Sequence, residues 1–325
     1  MRRAGIRYAI RRAVWLIALL LGVASATFVI FYLFPSGDAA TLRAGPHPTP
    51  ALVAGIRHRL GLNEAWYVQY YDYMKALILH FDFGYSYQAH AAVRTEIFSR
   101  LAATISLTIG AAILWLITAT TVGAIAALKR RSLFDRFVTG AAPLAISAAV
   151  FWLGMVSLYL FASDIGKLAI LPGAGRYVPL TQDPGKWFTS LIMPWCVLTA
   201  GLAAASGRQL RASLIGTLSE GYVWTARANG LSERRVILRH ALRAASAPVL
   251  SAAALGSALL LAGAILTETV FNIPGIGRLT YDSIQSGDLP TIQGAVLLGG
   301  WLVVIAKLMV DVACAFIDPR RVGLR

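Results

Sequence analysis

Between Ala13 and Phe34 no side chain carries a charge, and five more apolar stretches of comparable length follow: Leu101–Leu128, Phe137–Ser163, Trp187–Gly207, Ala244–Thr267 and Leu289–Ile317. A helix needs about 20 such residues to cross a bilayer's hydrocarbon layer. Only helices and closed barrels satisfy their backbone polar groups in lipid. The ten-residue alternation of a barrel strand is absent. The chain is therefore expected to be all-α and polytopic, with six transmembrane helices. Only 14% of its residues are charged, too few to clothe a water-soluble fold of this size.

The net charge of +15 would suggest a nucleic-acid partner in a soluble protein. Its distribution argues otherwise. With the N-terminus placed in the cytoplasm, 19 of the 30 Lys and Arg residues fall in cytoplasmic segments and 10 outside, while acidic residues favour the outside. This is the positive-inside pattern, and it puts both termini in the cytoplasm with no need for nucleic acid. The arginines before Ala13 could belong to a signal peptide, but the apolar run is too long for one, so an uncleaved first helix is expected. The expected organisation is a cytoplasmic N-terminus and first span (1–34), an extracytoplasmic loop with short helices (35–100), a five-helix core (101–317) containing a cytoplasmic loop (208–243), and a cytoplasmic tail (318–325).

No catalytic set is visible. The five histidines have no acidic or cysteine partner at metal-ligand spacing, and Cys196 and Cys314 lie in apolar stretches. There is no phosphate-binding G-x-x-x-x-G-K-[ST] loop, so any ATP-driven step must be powered by another chain. Lys307 and Asp311, four apart in the sixth span, read as an intramembrane ion pair on one helix face.

The 208–243 loop is the most informative segment. Leu218, Tyr222, Thr225 or Ala226, and Asn229 share one helical face. Gly230 suits a left-handed stop. Ser232 suits an N-cap, and Glu233 complements the positive end of the next helix. That helix continues toward the fifth span, so a short helix is carried at the tip of a lever. Glu268 at the outer end of the fifth span is read as facing water or lining a path. Asn272-Ile-Pro-Gly275-Ile-Gly277 reads as a turn.

Tyr222-Val-Trp-Thr-Ala-Arg-Ala-Asn-Gly-Leu-Ser-Glu-Arg-Arg-Val-Ile-Leu-Arg-His-Ala-Leu-Arg243 resembles the cytoplasmic EAA loop of binding-protein-dependent ABC importer permeases, in their dipeptide/oligopeptide/nickel branch. The segments Leu60-Gly-Leu-Asn, Tyr67-Val-Gln-Tyr, Asp82-Phe-Gly-Tyr-Ser, Glu268-to-Leu279, Val310-Asp-Val and Asp318-Pro-Arg resemble the same branch, and the long first outer loop resembles its B-type subunit. The resemblance implies a type I importer fold and a coupling helix from Glu220 to Gly230 seated in a groove of an ATPase. Tyr222 and Thr225 would lie on that helix, and Ala226 and Ala228 would allow close approach. Gly230 would make the turn, and Arg227, Arg234 and Arg235 would contact or orient the ATPase. Glu268, Asn272, Gly275 and Gly277 would lie by the path or at an outer contact.

The implied partners are a second homologous permease, one or two cytoplasmic ATPases that hold ATP and Mg2+, an extracytoplasmic solute-binding protein and the lipid of a bacterial or archaeal cytoplasmic membrane. This chain would hold no cofactor. The sequence departs from the branch at Gly221, Trp224 and Asn229, where acidic, basic and lysine side chains are usual. The competing readings are a self-sufficient secondary transporter or channel and a membrane-embedded enzyme.

Overall fold

The computed structural model describes residues 2–33, 49–59, 63–86 and 88–317. Its helices are α1 (Arg2–Phe28, extended by a π turn Val29–Leu33), α2 (Pro50–Arg59), α3 (Trp66–Lys75, with a π turn Ala76–His80), α4 (Val93–Leu128), α5 (Leu133–Ser147), α6 (Val150–Phe161), α7 (Pro184–Leu218), α8 (Gly221–Ala228), α9 (Glu233–Arg235 with Val236–Ala241 and Leu242–Ala245), α10 (Ala247–Val270), α11 (Ile276–Ser286) and α12 (Leu289–Ile317). Among the described residues there is no β-strand, only two isolated bridges. The Leu60-Gly-Leu motif and the 318–325 tail lie outside the described residues.

Four helices are long and apolar enough to cross a membrane, and a fifth span results if α5 and α6 count as one. The expected fifth span corresponds to α10, whose stretch Leu255–Val270 is predominantly apolar but shorter than the four long spans. Two expectations change. The single span expected over Phe137–Ser163 is broken, with α5 and α6 meeting at 109° across extended residues Ala148 and Ala149. Each half has its own partner. Gly201 of α7 lets Ala145 and Ile146 of α5 come close, and Gly154 of α6 faces Val270 and Phe271 at the end of α10. The small residues Ser147-Ala148-Ala149 let the backbone follow both commitments. The fourth span also outlasts its apolar stretch. With no breaker after Gly207, α7 runs on to Leu218 because Leu210 and Leu214 are buried. At about 1.5 Å per residue, α4 and α7 each exceed 50 Å, roughly 20 Å more than the hydrocarbon layer, so both project from it.

The chain divides into two compact units. In the first (1–104 and 274–305), Leu77, Phe83, Val93, Ile97, Ile276 and Leu297 form the core. Gly294 admits Val93, Ile97 and Phe83, where any Cβ would clash. The Thr104 hydroxyl accepts from Ile276 N–H at 2.9 Å, satisfying the start of α11. Buried Asp288 accepts from Thr291 at 2.8 Å and from Ser86, pinning the segment before α4 to the start of α12.

In the second unit (105–273 and 306–325), tryptophans fill glycine notches between helices. The Trp195 ring occupies the place a Cβ on Gly110 would take, and its indole N–H donates to Ser106 O at 3.2 Å. Trp115 lies over Gly256 and donates to the Ser206 hydroxyl at 3.1 Å. Small residues at helix contacts are the membrane mode of packing, where apolar burial itself has no drive. The outward residues Ile113, Leu144, Trp152 and Leu255 are apolar and exposed, as a lipid-facing surface requires.

Candidate functional site

The loop after α7 builds a compact finger from local rules. Ser219 and Glu220 turn the chain, and α8 starts afresh at Gly221 with Glu220 at its N-cap, although the Glu220 side chain makes no capping bond. At the other end Gly230 takes φ +77°. Gly230 N–H donates to Arg227 O at 2.9 Å and Leu231 N–H to Ala226 O at 3.4 Å, the paired bonds of a Schellman stop. Leu231 then packs beside Ala226, Val223, Val236 and Leu218. Ser232 occupies the expected N-cap position, but its hydroxyl makes no cap bond there. Glu233 turns away to form a two-pronged pair with Arg227, at 2.7 and 3.1 Å. The Arg227 guanidinium also lies 5.7 Å from the centre of the Trp224 ring. The pair with Arg227 holds the Glu233 carboxyl below the usual carboxylate range and raises Arg227.

The expected one-sided stripe is split. Val223 and Ala226 are buried inside the finger, whereas Tyr222, Thr225 and Asn229 face outward. Ala226 therefore packs within the loop instead of offering close approach to a partner. The break at Ser219–Glu220 resets the helical phase, so spacing counted from Leu218 does not carry into α8. The outward face shows Tyr222 at 46% and Trp224 at 62% exposure, with Ala228 exposed beside them. Partial burial and the Glu220 charge raise the Tyr222 phenol. Arg234 and Arg235 are exposed at the start of α9. Trp224 carried no expectation as a contact; a tryptophan standing where a basic side chain is usual was the available signal.

The finger is joined to the helices. Leu218 borders both its core and a second cluster of Ala127, Leu210, Leu214, Ala241, Ala245 and Val249, where α4, α7, α9 and α10 converge. From Glu233 to Val270 only Ser246 interrupts the helical run, just before Pro248, which cannot donate to the preceding turn.

The residues at the end of α10 and the start of α11 are placed separately. Glu268 is fully buried, which corrects the expectation that it faces water. Asn272, exposed at φ +54°, closes α10: Ile273 N–H donates to Glu268 O at 2.8 Å and Asn272 N–H to Thr269 O at 3.3 Å. In the other unit Gly275 is the N-cap of α11 and Gly277 is buried in its first turn. Lys307 is exposed on α12, and the Asp311 side chain with which it was expected to pair lies outside the described residues. Among the described residues no cluster of His, Cys, Asp and Glu could hold a metal.

Residues 119–323 match the family of binding-protein-dependent transport system inner membrane components, and residues 5–108 match the N-terminal part of such components. The dipeptide transport system permease protein DppB of Alkalihalophilus pseudofirmus is 36% identical, over 96% of this chain and 98% of its own. A probable peptide ABC transporter permease of Sinorhizobium fredii is 37% identical, over 96% and 98%. The glutathione transport system permease protein GsiC of Salmonella typhimurium is 37% identical, over 97% and 98%. With its bundle of apolar helices and the finger between α7 and α10, the chain belongs to the inner-membrane permease family of binding-protein-dependent ABC importers, in the peptide and oligopeptide branch.

Proposed function

We propose that this permease forms one half of a solute path together with a second, homologous permease. Cargo arrives from an extracytoplasmic solute-binding protein, and one or two cytoplasmic ATPases drive the cycle. ATP and Mg2+ bind on those ATPases, and this chain supplies a path and a lever without bond chemistry. Both termini lie in the cytoplasm, and the path crosses the membrane on six spans. The cargo is a short peptide or a related small solute, a reading supported by the names of the dipeptide, peptide and glutathione permeases it resembles.

The observation that carries this reading is the continuity of packing from α8 through Leu218 to the convergence of four helices. An ATPase gripping the outward face of α8, with Tyr222, Trp224, Thr225 and Ala228, moves a body that is already locked to α7 and α10. Glu220 and Gly230 set the ends of that body. Arg227 braces it through Glu233, and Arg234 and Arg235 flank the contact. When the ATPases close on ATP, the helices exchange inward-open for outward-open packing, an equilibrium biased by nucleotide. Glu268 and Asn272 shape the end of α10, and Gly275 and Gly277 shape the start of α11.

The test is purification of the chain with its partners in detergent. An ATPase is expected to co-purify, to be lost with Trp224→Asp or Ala228→Glu, and to be retained with Leu238→Glu, an exposed site on the next helix. Solute uptake by this chain alone, in liposomes without ATP, would sink the proposal.

A further inference from the structure

The α4–α5 turn and α7 are joined by a polar clamp that the coupling reading does not use. Arg211 lies on the projecting part of α7, between buried Leu210 and Leu214. Its guanidinium donates to both oxygens of Asp135 in the first turn of α5, through Nε and, at 2.8 Å, through a terminal nitrogen. The side chains are 22% and 5% exposed. The same carboxylate accepts from Arg131 N–H at 2.9 Å and from the Thr139 hydroxyl at 3.5 Å, while Asp135 N–H donates to the Ser132 hydroxyl at 3.2 Å. Asp135 therefore holds the turn through Arg131, is itself held by the Ser132 cap of α5, and grips α7 at once. A planar guanidinium gripping a carboxylate with two parallel bonds fixes orientation as well as distance, and neither partner can swing independently.

The position of the clamp gives it a task. On its α7 side lies the cluster that continues into the finger through Leu218. On its α5 side lies the longer arm of the broken span, which turns through 109° at Ala148 and Ala149 before α6. A helix break between two extended residues is a natural hinge, because two backbone dihedral pairs can absorb a change of angle there.

We propose that the Asp135–Arg211 pair is a positioning clamp through which displacement of the 208–243 finger is passed to α5 and changes the angle at the α5–α6 break. The inference rests on the proposed coupling role of α8.

The experiment uses the assembled transporter with both native cysteines replaced and spin labels at Phe137 and Tyr159. These are exposed positions on the two arms of the bend. Double electron–electron resonance is recorded without nucleotide and after trapping with ATP and vanadate. In the parent, trapping is expected to shift the distance distribution. In Asp135→Asn and in Arg211→Gln the shift is expected to vanish, although the ATPase still co-purifies. The exchanged pair Asp135→Arg with Arg211→Asp is expected to recover at least half of it. Arg211→Lys keeps the charge without the fork and is expected to be intermediate, and it carries the test if the neutral variants do not assemble. A parent that shows no shift, or variants in which the shift keeps its full size, overturns the clamp. Failure of any ATPase to bind the parent overturns the coupling role of α8 instead, so the two failures are told apart.

Discussion

At the residue scale, Gly230 is where local chemistry most narrowly limits the choice of side chain. Its φ of +77° lies in the left-handed region, and a Cβ built there would meet nothing within 4 Å. Substitution is therefore penalised by backbone conformation and not by crowding. Gly230→Ala is expected to destabilise the finger by about 1–2 kcal/mol, the cost of a left-handed residue with a side chain. Hydrogen exchange should show faster exchange in residues 221–236 and unchanged protection in α4. This residue was readable in the sequence, because a glycine after a short amphipathic run has one conformational use. Glu233 was read only in part. A carboxylate in a first helical turn suggests the helix dipole, whereas the fold gives it Arg227 as well, six residues back around a turn that spacing alone does not draw. Its lowered pKa makes a signed claim. The Arg227 pair is at full strength above the ordinary glutamate range and weakens as pH falls through the depressed value. A fluorophore at Asn229→Cys should report one unchanged environment from neutral pH down through the ordinary glutamate range and a shift only at more acidic pH. Glu233→Gln should show the shifted signal at every pH.

At the scale of elements, the apolar runs were readable and the breaks were not. Lipid solvates any apolar helix alike, so composition marks where a span lies without saying whether it stays straight. Nothing in Ser147-Ala148-Ala149 is a helix breaker; the bend follows from partners on α7 and α10 that the sequence does not pair. Pro143, which does look like a breaker, lies inside α5 without ending it. The Asp135–Arg211 contact joins residues 76 apart and has no local signature. The burial of Glu268 likewise depends on neighbours from elsewhere in the chain. The junction of α4, α7, α9 and α10 carries a prediction of its own. Leu214 is fully buried there, and Leu214→Ala is expected to cost about 2–5 kcal/mol through lost packing and the cavity left behind. Thermal unfolding in detergent should register it. Val223→Ala, in the finger's own core, should leave the melting of the bundle nearly unchanged while speeding exchange in α8 alone. Equal effects from both would mean that finger and bundle are one cooperative body.

At the scale of the whole molecule, the proposed mechanism needs the finger, the α4–α5 turn and both termini on the cytoplasmic side. The charge distribution supports that side: the 208–243 loop alone carries seven Lys and Arg residues against two acidic ones. Positive segments are retained against translocation, so topology follows where lysine and arginine collect and not the net charge of the chain. The prediction can be read with one label in cells. In a variant lacking Cys196 and Cys314, a cysteine at Ser219, exposed at the base of the finger, should react with a membrane-impermeant maleimide only after permeabilisation. A cysteine at Ile165, exposed just beyond α6, should react in intact cells. The outcome also constrains the clamp, because Asp135 and Arg211 lie toward the finger's end of α7. Labelling of Ser219→Cys from outside intact cells would put the lever on the side where no ATP is available, and neither the docking face on α8 nor the clamp behind it would then have a force to carry.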